Sequence, residues 1–354
     1  MEKNGQRCGR LVLLPCPFQG HINPMLQLGT ILHCRGFSIT IVHTQFNSPN
    51  PSNHPNFKFN PIPDGLSAED ISSGDIVSLI QKLNVNCKSH LREYLSQLMI
   101  GRQGSHDDIV CIIYDELMYF TEAVAKFLKL PTIILHFVSQ DLVPNLHPLR
   151  FKDLPFPLNR NLEKFSQVIN DIYKMRTSSS AVIWNTMDCL ERSSLACIQQ
   201  QCQVPNLPIG PMHKLGPASP SSSLLKEDTN CMAWLGKQTK NSVIYVSLGS
   251  IASMNEKELA EMAWGLANSQ KPFLWVVRPD SSTNGKRNKV GLELENELVR
   301  CEIEKAITIL MADKEGEAMR ERAKNLKEKI ELCIKEGGSC NNSLNKLVEI
   351  IMSF

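Results

Sequence analysis

Short apolar runs alternate with amphipathic stretches from the start of the chain. Residues 10–17 form an apolar run of the kind a strand buried on both faces requires. A helix is predicted from about Gly20, with Ile22, Met25, Leu28 and Leu32 on one face and Gly36 as its stop. Residues 37–43 read as a second strand, which completes a strand–helix–strand unit. A long amphipathic stretch at 76–100 leads to a third strand at 109–114. Helix 120–128, strand 132–137, helix 162–175 and strand 181–185 continue the alternation. The pattern predicts an α/β chain with a doubly wound parallel sheet.

Residues 214–228 break the rhythm with Gly-Pro-Ala-Ser-Pro-Ser-Ser-Ser, an interdomain linker by composition. The alternation then restarts with a strand at 242–247. Ser253-Met-Asn-Glu256 reads as a capping box, and Leu259, Met262, Ala263 and Leu266 as the apolar stripe of the helix it opens. Residues 273–277 give one more strand, and residues 280–289 are polar and loop-like. From Glu302 onward the chain is charged and helical. Two strands after the linker fall short of the about 4–6 that an ordinary sheet contains, so the second domain is predicted to be incomplete. The expected division is 1–213 for a first Rossmann-like domain, 214–230 for the linker and 231–338 for the incomplete one. A final helix at 339–354 is expected to pack back on the first domain.

Composition narrows the function. The 354 residues are 42% hydrophobic and 21% charged, with a net charge of +2 and scattered basic residues. Neither a nucleic acid nor an anionic membrane is expected as the main partner. No run approaches the about 20 apolar residues that span a bilayer. The run at 11–14 is too short for a signal-peptide core, so a cytoplasmic location is expected. Twelve cysteines without a Cys-x-x-Cys pair offer neither a disulfide framework nor a metal-ligand spacing, which fits a reducing compartment.

Pro17-Phe18-Gln19-Gly20-His21-Ile22-Asn23-Pro24 falls where the first strand gives way to the first helix, on the edge of a doubly wound sheet where ligands bind. The positive end of a helix favours the neutral imidazole, which can accept a proton, so His21 suits a general base. A local hydrogen bond at a helix start would explain it equally. Asp115, at the end of the third strand, reads either as an N-cap or as the carboxylate that orients His21. No Gly-x-Ser-x-Gly nucleophile accompanies them, so such a pair would activate a substrate hydroxyl. Gly249 and Ser250, in Val246-Ser247-Leu248-Gly249-Ser250, could let a phosphate approach backbone, or form an ordinary strand-to-helix loop. Neither Gly-x-Gly-x-x-Gly nor Gly-x4-Gly-Lys-Ser/Thr occurs, which argues against a dehydrogenase or a P-loop enzyme.

With these segments the chain resembles the plant family 1 UDP-dependent glycosyltransferases. The likeness also rests on Tyr-Asp-Glu at 114–116, Ala181-Val-Ile-Trp-Asn-Thr186, Val243-Ile-Tyr-Val-Ser-Leu-Gly-Ser250, Phe273-Leu-Trp-Val-Val-Arg-Pro279 and Glu336-Gly-Gly-Ser-Cys340. The resemblance implies a GT-B-like fold of two Rossmann-like domains, with the last helix crossing back to the first. It implies an inverting transfer of a hexose, glucose above all, from a UDP-sugar co-substrate to a hydroxyl of a small plant metabolite. His21 would take the acceptor proton and Asp115 would balance the imidazolium. Gly249 and Ser250 would meet the donor's phosphates, and Gln19 and Gly20 would lie on the acceptor side. No metal or other cofactor is implied. The acceptor could be a flavonoid, a terpenoid or a hormone, and a monomer is expected.

One departure stands out. The family's donor box (Trp-x-Pro-Gln, then His-Cys-Gly-Trp-Asn-Ser, then Asp-Gln) holds uracil, diphosphate and sugar. Here no histidine follows His213, no tryptophan follows Trp275, and no Asp-Gln pair occurs. The join is expected within 280–290, because family sequence resumes at Val290-Gly-Leu-Glu. A second gap is expected between Phe137 and Pro148. The resemblance therefore carries the family but not the activity of this chain. A non-catalytic acceptor- or partner-binding relative, or a truncated or mis-spliced product, stand as alternatives.

Overall fold

The computed structural model describes residues 9–73, 75–100, 108–136, 162–176, 178–217, 230–249, 254–277 and 298–354. They fall into two compact units. The larger contains strands β1 (Arg10–Leu14), β2 (Ser38–Thr44), β3 (Lys58–Ile62), β4 (Ile109–Asp115), β5 (Thr132–His136), β6 (Ala181–Trp184) and β7 (Asn206–Pro208). Its helices are α1 (Gln19–Cys34), α2 (Ala68–Ser72), α3 (Ile76–Met99), α4 (Phe120–Leu128), α5 (Leu162–Arg176) and α6 (Asp188–Gln201). The strands pair in parallel in the order β3-β2-β1-β4-β5-β6-β7. Leu11 pairs with Cys111 and Leu14 with Tyr114, so the first and third predicted strands are parallel neighbours.

Successive residues of each strand serve opposite faces of the sheet, and both faces are covered. On one side Leu11, Leu13, Ile41, Ile113, Ile133 and Ile183 pack with Met25 and Leu28 of α1. On the other, Val12, Leu14, Ile112, Ile134 and Val182 pack with Leu83 and Leu91 of α3 and Val124 of α4. Double coverage is why these strands read as unbroken apolar runs rather than as alternating ones. Each fully buried large aliphatic side chain contributes about 1.5–3 kcal/mol. Gly36, at φ +98°, lets the chain turn back after α1 into β2.

The last helix of the chain, Ser339–Met352, belongs to this unit. It buries Leu344, Leu347 and Ile351 on the α1 face, and Arg35 donates to Asn345 Oδ1 at 2.9 Å. We label it α11, after α7 (Asn230–Leu235), α8 (Glu256–Asn268), α9 (Arg300–Ala312) and α10 (Lys314–Ile334). No helix among the described residues is long and apolar enough to cross a membrane.

In the smaller unit, β8 (Ile244–Ser247) and β9 (Phe273–Val276) form a two-stranded parallel sheet among the described residues. Its core is small: Met254, Leu266, Leu298, Ile303 and Ile307. Tyr245 is 66% exposed and Val276 46%, so the strands lack the double coverage of the first sheet. Helix α8 opens with a capping box, but it is built from Asn255 and Glu258 rather than from Ser253 and Glu256. Ser253 itself lies outside the described residues; Asn255 caps because its Oδ1 accepts the orphan Glu258 N–H at 2.9 Å, two residues further along than the predicted box.

Helices α8 and α9 are locked by a close approach at Gly265. A Cβ placed there would sit 2.6 Å from Ile303 Cβ. Arg300 adds an ion pair with Glu261 and lies over the Trp264 ring, 5.6 Å from its centroid. We expect Gly265→Val to destabilise the smaller unit, because overpacking costs about 1–3 kcal/mol. Thermal unfolding followed by far-ultraviolet circular dichroism would show earlier loss of helix. An unchanged profile would mean that α9 shifts freely to make room.

Candidate active site

The strand order reverses between β1 and β4. The chain leaves β1 toward β2 and β3 on one side, and returns at β4 to fill the other. At such a switch point the loops leaving the two strands diverge and open a crevice beyond their carboxyl ends. Both residues singled out in the sequence lie there. Asp115 is the last residue of β4, and His21 sits in the first turn of α1, just after β1.

His21 Nδ1 lies 2.7 Å from Asp115 Oδ2. Asp115 is fully buried and the His21 side chain is 17% exposed, so the pair has a closed carboxylate and an open imidazole. The other carboxylate oxygen accepts the Leu117 N–H at 3.0 Å, which fixes the carboxyl plane. That bond closes a tight turn two residues on and does not cap the helix, whose N-cap is Tyr119, so the N-cap reading fails and Asp115 serves the turn and the histidine together. Backbone geometry fixes His21 too, since its N–H donates to Phe18 O at 2.8 Å and the Phe18 ring meets its imidazole edge-on at 6.1 Å. With Nδ1–H donating to Asp115, the proton-accepting lone pair lies on Nε2.

The helix terminus alone argued for a depressed imidazole pKa. The net effect in the folded chain is the reverse. Burial, the largest single influence, pushes His21 down, but the charge and hydrogen bond of Asp115, with Glu116 behind them, raise it above its ordinary value. A direct carboxylate contact outweighs the partial charge of a helix end.

The neighbouring groups are held silent. Cys16, fully buried after β1, is pushed well up by burial and by Asp115 and Glu116, so it stays a thiol rather than a nucleophile. Tyr114 is likewise raised by burial and by Glu122, to which its hydroxyl donates at 3.1 Å. Among the described residues no three His, Cys, Asp or Glu side chains gather as a metal would require.

The remaining predicted positions divide. Gln19 and Gly20 open α1 beside His21, and the Gln19 amide donates to Asn23. Gly249 follows β8 in an exposed turn of the smaller unit, at φ +71°, and donates its N–H to Ser247 Oγ at 3.3 Å. Ser250 and the two expected joins, at 280–290 and 137–148, lie outside the described residues. Sequence reasoning passed over a second acid–imidazole pair, Glu116 with His136, buried at the ends of β4 and β5. The available signal was a second carboxylate after Asp115 and a histidine closing the next strand.

No family model matches the chain. Similarity to individual proteins is strong. It is 45% identical over 306 residues to UDP-glycosyltransferase 76E1 of Solanum lycopersicum, a match covering 78% of this chain and 63% of that protein. It is 36% identical to the flavonol 3-O-glucosyltransferase UGT76E12 of Arabidopsis thaliana, with 99% of this chain and 98% of that one covered. Among solved structures, Os79 from O. sativa in complex with UDP superposes with a TM-score of 0.80 at 21% identity, over 97% of this chain and 99% of that one. Medicago truncatula UGT71G1 complexed with UDP-glucose gives 0.76 at 15% identity, over 99% and 100%.

The shared architecture is the GT-B class of glycosyltransferase, with Rossmann-like parallel sheets. Within that class, identity over nearly the full length of the Arabidopsis protein decides the matter: the chain belongs to the plant family 1 UDP-glycosyltransferases. It is the shorter relative, because an alignment of 456 positions against 354 residues leaves about 100 positions that no residue here can fill.

Proposed function

We propose that the larger unit is the acceptor-activating half of an inverting UDP-sugar glycosyltransferase, and that this chain lacks the grip on its donor. The observation that carries the first part is the 2.7 Å His21–Asp115 pair at the sheet's switch point. His21 Nε2 takes the proton of an acceptor hydroxyl, and Asp115 steadies the imidazolium. The oxygen attacks the anomeric carbon of the UDP-sugar, a new glycosidic bond forms with inversion, and the bond to UDP breaks. We assign no metal and no cofactor beyond the UDP-sugar co-substrate, and read Gly249 and Ser250 as the remnant of the donor side.

The acceptor we assign is a small hydroxylated metabolite of flavonoid, terpenoid or hormone type, with glucose as the sugar. A flavonol glucosyltransferase among the relatives supports this, as does a trichothecene complex of Os79. Gln19 and Gly20, beside His21, would line the acceptor side. We place the working protein in the cytoplasm as a monomer.

The second part rests on the sequence after Trp275, which has no tryptophan to stack on uracil and no Asp-Gln pair for sugar hydroxyls. The roughly 100 unfilled alignment positions equally favour the alternatives, a non-catalytic acceptor- or partner-binding relative or a truncated or mis-spliced product. Calorimetric titration with UDP and UDP-glucose tests the proposal. We expect weak or absent heat, and micromolar binding would overturn the loss of the donor grip.

A further inference from the structure

Two carboxylates adjacent in the chain, Asp115 and Glu116, are both buried at the carboxyl end of β4. Side by side in a low dielectric they would repel, and each requires its own partner. The fold supplies them from opposite directions. His21 reaches Asp115 from α1, and His136 Nδ1 bonds Glu116 Oε2 from the end of β5. Both side chains of the second pair are 5% exposed. The parallel register makes the match: Asp115 stands opposite Leu135, and the Glu116 N–H donates to Leu135 O at 3.2 Å, which sets Glu116 against His136. His136 in turn stands opposite Trp184 on β6, with ring centroids 4.1 Å apart, so its imidazole is wedged as well as bonded.

We propose that Glu116 and His136 are positioning residues for the His21–Asp115 pair. They tie the ends of β4 and β5 together where Asp115 projects, and they hold a second negative charge beside His21 without letting it compete for that imidazole. Among the described residues the titratable groups at this edge are Asp115 and Glu116 at the end of β4, His136 from β5 and the neutral thiol of Cys16 after β1. Of these, the two carboxylates raise His21, and Glu116 is the smaller contributor. The inference rests on His21 being the acceptor base, but its test is read on the imidazole and needs no turnover.

The experiment follows the His21 ring resonances of the full chain by NMR through a pH titration. In Glu116→Gln the midpoint should fall by roughly 0.5–1 pH unit, less than the about 1–3 units of a direct charge contact. Glu116→Asp, which keeps the charge, should restore most of it. A merely structural role would lower thermal stability in both variants and leave the midpoint alone. Should Glu116→Gln fail to fold, Glu116→Leu/His136→Leu removes the same charge while replacing both partners by apolar groups, a change that buried pairs often tolerate. An unmoved midpoint in a folded variant of either kind would overturn the proposal. A normal shift with no acceptor binding would instead sink the functional reading and leave this one standing.

Discussion

Background-level transfer of glucose from UDP-glucose is expected from the 354-residue chain across a panel of flavonoid, terpenoid and hormone acceptors. In the mechanism proposed, His21 and Asp115 activate an acceptor hydroxyl, but activation accelerates transfer only when the anomeric carbon is held about 3–3.5 Å from the oxygen. Positioning of that kind supplies about 7–11 kcal/mol, and each 1.36 kcal/mol is a tenfold change in rate, so its loss removes about five orders of magnitude or more. Gly249 and Ser250 alone cannot fix uracil, diphosphate and sugar. Restoring the Arabidopsis relative's intervening segments at 280–290 and 137–148 should raise the rate by about that factor, and His21→Ala in the restored chain should abolish the gain. Multiple turnovers by the unrestored chain would contradict the expectation and require a donor site built from other residues.

Asp115→Asn should have the largest effect of any single substitution on His21 itself. The amide keeps the shape of the carboxylate but removes the two larger influences that hold the imidazole up, the charge and the charge-assisted hydrogen bond of Asp115. What remains is burial, which pushes the other way and is opposed only by the smaller effect of Glu116, so the His21 midpoint should fall by about 1–3 pH units. Stability should follow the same sign. Folding raises the pKa of His21, so the imidazolium–carboxylate pair stabilises the native chain below the ordinary value of about 6.5. That contribution is lost as pH rises through the raised folded value. Asp115→Asn should therefore cost more stability near roughly pH 5.5 than near roughly pH 8.5. Denaturant unfolding at the two pH values, with the NMR titration, measures both. A midpoint that stays raised would show that Asp115 does not orient the base.

The candidate pair was visible in outline before any geometry. A strand that ends in His-bearing loop sequence and a later strand that ends in Asp-Glu are both placed on the carboxyl edge by parallel pairing alone. Which two strands adjoin is a separate matter. Periodicity locates β1 and β4 but does not make them neighbours, and only the order β3-β2-β1-β4-β5-β6-β7 sets His21 against Asp115. The strands that escaped notice are β3 and β7, the two edges of that sheet. Both are short and contain proline, Pro61 in one and Pro208 in the other, which an edge tolerates because one row of its N–H groups needs no partner. Their patterns are too weak to rise above loop sequence.

What the sequence determined by itself is therefore local. Apolar runs buried on two faces, helix stripes, the break after residue 214 and the missing donor motifs are all properties of residues near one another in the chain. The tertiary structure alone decided the rest. It reversed the expected sign at His21, because a helix terminus is legible locally whereas a carboxylate 94 residues away is not. It also brought together Glu116 and His136, 20 residues apart, through the register of β4 against β5. The direction of a pKa shift and the partner of a buried charge depend on distance in space, and for residues on separate strands that distance is set by how the sheet is ordered and aligned.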